Sequence, residues 1–195
     1  MPTKERAEKI KDVVAKRQRG LVLVLEDIHD PHNAEAILRS ADAFGIQKVY
    51  FIFEKEKYYN PKKVGRASSS SANKWLDFEI FKSTKECLKR LKKDKYEIIA
   101  TVLDKDSENL FETKLKDKKI AILVGNEHRG LSKTAIKMSD RKIIIPMAGM
   151  VQSLNVSVTA AIFLYEITRQ RNPKMKKYLL KKREQNKLVK DFIER

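Results

Sequence analysis

Four short runs of the chain, "LVLVLED" (residues 21–27), "KVYFIF" (48–53), "EIIATVL" (97–103) and "KIAILVG" (119–125), are apolar along most of their length instead of alternating with polar residues. Such a run suits a strand covered on both faces, and strands of that kind belong to a parallel sheet with helices on each side. The intervening stretches agree with this. Residues 34, 37, 38, 41 and 44 are apolar at helical spacing, and Gly45 closes that helix. Residues 3–18 read as an amphipathic helix with Ile10, Val13 and Val14 on one side. Residues 61–72 suggest a helix start and a serine-rich turn, followed by a weaker strand near 78–81. Ser83 and Glu86 have capping-box spacing for a helix to about Asp94. A polar connection with at most a helical turn leads to residue 119, and a short helix after Ser132, the strand "KIIIPM" and a long helix from about Ser153 follow. The expected class is α/β, a mostly parallel sheet flanked by helices.

Charge divides the chain differently. Of a net charge of +17, residues 1–20 carry +4 and residues 171–195 carry +7, so the middle 150 residues hold only +6. The division is a basic N-terminal helix (1–20), a central domain (21–170) and a basic C-terminal helical extension (171–195). Two basic arms suit a polyanion, whose counterions they displace. The single cysteine, Cys87, excludes an internal disulfide and a zinc-finger pattern. No apolar run has membrane-spanning length and the first residues lack a hydrophobic leader, so a cytoplasmic protein is expected.

In doubly wound sheets ligands sit beyond the carboxyl ends of the strands. The loop "EDIHDPHN" places Asn33 at a natural N-cap position and Arg39 four residues after Glu35, the spacing of a helical ion pair. His29 and His32 lack further ligands of suitable spacing for a metal. The loop "VGNEHRGLS" (124–132) leaves a strand with two glycines and Glu127, and it matches neither GxxxxGK[ST] nor GxGxxG. The third, "PMAGMVQSLN", is long and partly apolar; Met147, Met150 and Leu154 form a candidate wall for an uncharged ligand, and Ser153 and Asn155 compete for one helix cap.

Asn33 with Arg39, Gly125-Asn126-Glu127 with Gly130-Leu131-Ser132, and Ile145-Pro146-Met147 with Ser153-Leu154-Asn155 resemble, in order and setting, the three motifs of the SPOUT RNA methyltransferases. The strings "PHNAEAILRSADAFGI" and "IIIPMAGMVQSLNVSV" are most similar to the TrmH branch, the tRNA guanosine 2'-O-methyltransferases that modify the D-loop guanosine at position 18. The resemblance spans about residues 3–172 and includes the short basic terminal helices. It implies a deep trefoil knot in the C-terminal half, an obligate homodimer with the active site at its interface, tRNA as substrate, and bound S-adenosylmethionine. Thr101, Gly125, Ile145, Met147 and Leu154 would then line the cofactor pocket. Arg39 would act on the ribose 2'-hydroxyl, with Asn33, Glu127, Ser153 and Asn155 orienting it, and no metal would be needed. Lys62, Lys63 and Arg66 either bind phosphate or solubilise the surface. Methylation of ribosomal RNA or of another tRNA site, and a catalytically silent RNA-binding module, are the competing expectations.

Overall fold

A computed structural model describes residues 2–63, 72–104, 106–116 and 119–195. The elements run α1 (Lys4–Ala15), β1 (Gln18–Glu26), α2 (Pro31–Ala43), β2 (Ile46–Ile52), β3 (Asp77–Phe81), α3 (Thr84–Lys93), β4 (Glu97–Thr101), β5 (Glu108–Asn109), β6 (Ile120–Val124), α4 (Lys133–Met138), β7 (Arg141–Ile144), α5 (Val156–Arg171) and α6 (Lys182–Glu194). The seven strands form one sheet in the order β3-β2-β1-β6-β4-β7-β5, and every pairing is parallel.

The non-alternating runs are explained by cover on both faces. Leu21, Leu23 and Leu25 of β1 pack with Ile37 and Leu38 of α2 and Phe163 and Leu164 of α5. Val22 and Val24 point the other way, into a core with Leu88 and Leu91 of α3 and Ala135 of α4. Each fully buried aliphatic side chain stabilises the fold by roughly 1.5–3 kcal/mol. Chain order reverses at β1, whose neighbours are β2 and β6, so the switch point faces the loops after β1 and β6.

The terminal helices are not free arms. Ile10 and Val14 of α1, Leu188 and Phe192 of α6 and the partly buried Trp75 form a third apolar cluster. Several of the basic residues counted above are internal struts. Arg17 is 1% exposed, binds Asp42 at 2.5 Å and donates to the Ile46 carbonyl. Arg171, equally buried, bonds Gln18 and the Gly20 carbonyl and lies over the Tyr178 ring. Burial pulls its pKa down to about 10, and it stays charged at neutral pH.

Several local expectations are corrected. Val13 faces outward. β1 starts at Gln18, three residues early, with Gly20 at φ +68° where its register against β2 shifts. Ser83 precedes α3 but makes no side-chain cap bond; the Thr84 N–H instead donates to Glu54 at 2.8 Å. The polar connection before β6 contains β5, a two-residue edge strand too short to leave a periodic signal. Residues 61–63 form a turn, whereas most of the expected serine-rich turn, with Arg66, lies outside the described residues.

Candidate active site

The strand ends of β4, β6 and β7 open into a cleft of about 820 Å³, within the range of small-molecule sites. All five residues assigned to cofactor binding, Thr101, Gly125, Ile145, Met147 and Leu154, line it. The Thr101 hydroxyl donates to the Leu123 carbonyl at 2.8 Å, tying the end of β4 to β6. Gly125 is required sterically, because a Cβ there would stand 2.4 Å from the Gly130 carbonyl carbon and the Leu131 nitrogen. Gly130 turns the loop back at φ +65°, a left-handed conformation that favours glycine. Apolar backing comes from Leu131 of the Gly130-Leu131-Ser132 motif and from Ile136 and Phe163, which belong to none of the three motifs. Met150 is not part of this wall: it is fully exposed at 100% and absent from the lining.

One polar margin of the cleft is a relay of side chains from the first turn of α2, the loop after β6 and the start of α5. The Glu127 carboxylate accepts from the His29 N–H at 2.9 Å, the Asp30 N–H at 3.2 Å and the Asn33 amide at 2.9 Å. The Asn33 Oδ1 accepts from the Asn155 amide at 3.0 Å. Asn155 Oδ1 in turn accepts from the Ser157 N–H at 2.7 Å and its hydroxyl at 2.6 Å, capping α5. Burial opposes ionisation of Glu127, yet the donors from His29, Asn33 and Asp30 outweigh it and hold its carboxyl below the usual range.

Asn33 is available for this because it does not cap α2. Asp30 is the N-cap, accepting from the His32 N–H at 2.8 Å, and Pro31 occupies the first turn, so Asn33 lies inside the helix. The cap of α5 falls to Asn155, leaving Ser153 on the cleft wall. Arg39 stands apart: its side chain is 57% exposed, pairs with Glu35 at 3.1 Å, and does not line the cleft of its own chain.

A second network went unnoticed in the sequence. Glu56 accepts from His29 Nδ1 at 2.8 Å, Arg129 at 2.5 Å and the Asn126 amide at 3.3 Å. The hydrogen bond to Glu56 raises the His29 pKa above its usual 6.5. Glu56 sits in the unremarkable charge run "EKEKYY", 73 positions from Arg129. Among the described residues no group of three or more His, Cys, Asp or Glu could hold a metal, and no helix is long and apolar enough to cross a membrane.

Beside the relay, Phe44, Val158, Ala161, Ile162 and Tyr165 of the α2–α5 pair form an open apolar depression edged by Ser40 and Ser157. Tyr165 is 55% and Val158 44% exposed.

Residues 20–165 match the SpoU rRNA methylase family. The chain belongs to that family. Among SpoU-type relatives, a Thermus thermophilus protein named tRNA (guanosine(18)-2'-O)-methyltransferase is 37% identical over 172 residues, covering 87% of this chain and 84% of the relative. An Aquifex aeolicus protein of the same name is 35% identical over 170 residues, covering 87% and 79%. The solved TrmH/SpoU tRNA-modifying enzyme of A. aeolicus superposes with a TM-score of 0.84 at 34% identity, covering 96% of this chain and 94% of that one. The SpoU methyltransferase AviRb of Streptomyces viridochromogenes, solved with AdoMet, superposes at 0.68 with 29% identity, covering 83% and 61%.

Proposed function

We propose that this protein transfers a methyl group from S-adenosylmethionine to the ribose 2'-hydroxyl of a tRNA nucleotide, the D-loop guanosine at position 18. The observation that carries this reading is the convergence of Glu127, Asn33 and Asn155 on the rim of a cleft walled by Thr101, Gly125, Ile145, Met147 and Leu154. Relatives with that tRNA activity in their names, aligned over most of their length, support the substrate.

The cleft suits the cofactor chemically: apolar side chains from β7 and the loop before α5 meet the backbone of a glycine-containing loop that admits close approach. S-adenosylmethionine, when bound, supplies an electrophilic methyl on sulfur. The chain's own task is to hold a ribose hydroxyl in line with it and to manage the proton. Glu127 is an anchor rather than a base, since three donors occupy its oxygens and keep it ionised. Asn33 and Asn155 position the nucleotide, and Ser153 faces it from the cleft wall. Arg39, a planar guanidinium that offers donors only, fixes the hydroxyl and an adjacent phosphate and stabilises the charge that develops there, the hydroxyl proton leaving by way of that phosphate as the oxygen takes the methyl and the methyl–sulfur bond breaks.

Arg39 does not line the cleft of its own chain, and in this reading it serves the cleft of a second copy. It adjoins Ser40 on the rim of the apolar α2–α5 face, which makes that face the natural seat of a homodimer with the active site at its boundary. We further propose a trefoil knot around loops 125–132 and 145–155, a domain core of residues 21–170 with basic ends, and a cytoplasmic location.

The test is incubation of purified protein with labelled S-adenosylmethionine and unmodified tRNA or ribosomal RNA, followed by mapping of 2'-O-methyl groups. Label at tRNA guanosine 18 is expected. Label confined to ribosomal RNA would replace the substrate, and tight RNA binding without label would leave a docking module.

A further inference from the structure

The last residue of β1, Glu26, is 2% exposed, and no cation pairs with it among the described residues. A buried carboxylate in such a place costs several kcal/mol unless donors surround it, and a well-packed apolar residue is often the more stable choice. The donors here come from two helices. Thr84, first residue of α3, gives its hydroxyl at 2.5 Å; Ser132 gives its N–H and its hydroxyl, each at 2.8 Å. The same Ser132 hydroxyl oxygen accepts from the Ala135 N–H and caps α4.

Ser132 is also where the cleft loop 125–131 ends. Its beginning is held from the adjacent residue: the Asn126 amide donates to the Asp27 carbonyl at 2.8 Å. Asp27 adopts φ +51°, unusual for a non-glycine residue. Its carboxylate accepts three consecutive N–H groups, from Glu54, Lys55 and Glu56, at 2.8–3.1 Å. Two neighbouring residues at the end of β1 thus pin both ends of the loop that forms one wall of the cleft, Glu26 through its carboxyl group and Asp27 through its backbone carbonyl.

We infer that Glu26 is a positioning residue for the methyl donor: acting through Ser132, it sets the height and width of loop 125–131 over the cleft. The inference rests on S-adenosylmethionine being the ligand of that cleft. It gives the buried Glu26 carboxyl group a task that an apolar side chain at the end of β1 would not perform.

Titration calorimetry of full-length protein with S-adenosylmethionine alone tests this, alongside thermal melting and steady-state kinetics. E26Q should weaken cofactor binding roughly ten-fold, with the loss in KM for the cofactor more than in kcat at saturation. S132A, which removes one of the same bonds from the loop side, should shift cofactor affinity in the same direction even if E26Q folds poorly. T84A loses a bond to the same carboxylate without touching the loop, so it should lower the melting temperature while keeping wild-type cofactor affinity. Wild-type affinity in both E26Q and S132A, with melting lowered as in T84A, would reduce Glu26 to a structural residue. Wild-type protein that binds no S-adenosylmethionine would overturn the methyltransferase reading itself, a distinguishable failure.

Discussion

The Asn155 amide donates to Asn33 Oδ1 at 3.0 Å, across 122 positions of sequence, and Asn33 passes the contact on to Glu127. One hydrogen-bonded line therefore joins the first turn of α2, the loop after β6 and the start of α5.

Arg39→Ala should reduce methyl transfer by at least about 100-fold, the scale of a lost group that acts only on the reacting centre. Cofactor affinity should stay within about two-fold, since Arg39 does not line the cleft of its own chain. Stability should hardly change, because exposed helical ion pairs contribute only about 0.3–0.5 kcal/mol. Lost cofactor binding with normal turnover at saturation would contradict this assignment.

Asn33→Ala removes one of the donors that keep the Glu127 carboxyl below its usual range. A carboxyl depressed in the folded state contributes stability above its unfolded pKa and loses it as pH falls through the folded value. The variant should therefore lose stability and activity at a higher pH on the acid side than the wild type. An acid limb that does not move in parallel pH profiles would show that Glu127 does not depend on Asn33.

Glu56→Gln should act in the opposite pH range. Glu56 raises the His29 pKa, so the interaction stabilises most below 6.5 and fades as pH rises through the folded His29 value. Its NMR titration midpoint should fall in the variant. An unchanged midpoint would mean that Glu127 or solvent, rather than Glu56, governs the imidazole.

Gly125→Ala should cost cofactor affinity more than ten-fold and lower the melting temperature as well. Its Cβ would meet Gly130 and Leu131 backbone at 2.4 Å, atoms that cannot move without displacing the loop. Calorimetry with S-adenosylmethionine and a thermal melt would check both halves.

The basic ends combine two roles that separate variants can resolve. Phe192→Ala opens the α1–α6 cluster and should cost about 3–5 kcal/mol of stability, as large-to-small core changes do. Replacing the exposed Lys182, Arg183, Lys187 and Lys190 of α6 by glutamine should leave melting nearly unchanged. It should weaken tRNA binding and flatten its salt dependence by roughly 0.7–0.9 per lost phosphate contact. An unflattened slope would make the extension structural only.

The sequence by itself determined the strands buried on both faces, since burial on two sides removes alternation and leaves an apolar run that any reader of the chain can see. It also determined the three loops and their glycines, because a strand end, a tight turn and a close approach each restrict the residue locally. Resemblance to SPOUT enzymes, rather than spacing, made those loops an expected methyl-transfer site. Tertiary structure decided the rest. It gave the cap of α2 to Asp30 and so released Asn33 for Glu127; it drew Glu56 out of a plain charge run to meet His29 and Arg129. It folded the two basic ends against each other and made Arg17 and Arg171, counted in the charge of those ends, buried struts. Apart from the local Asp30 cap, these outcomes depend on partners tens to more than a hundred residues apart, and a hydrogen bond of 3 Å leaves no periodicity in the chain that forms it.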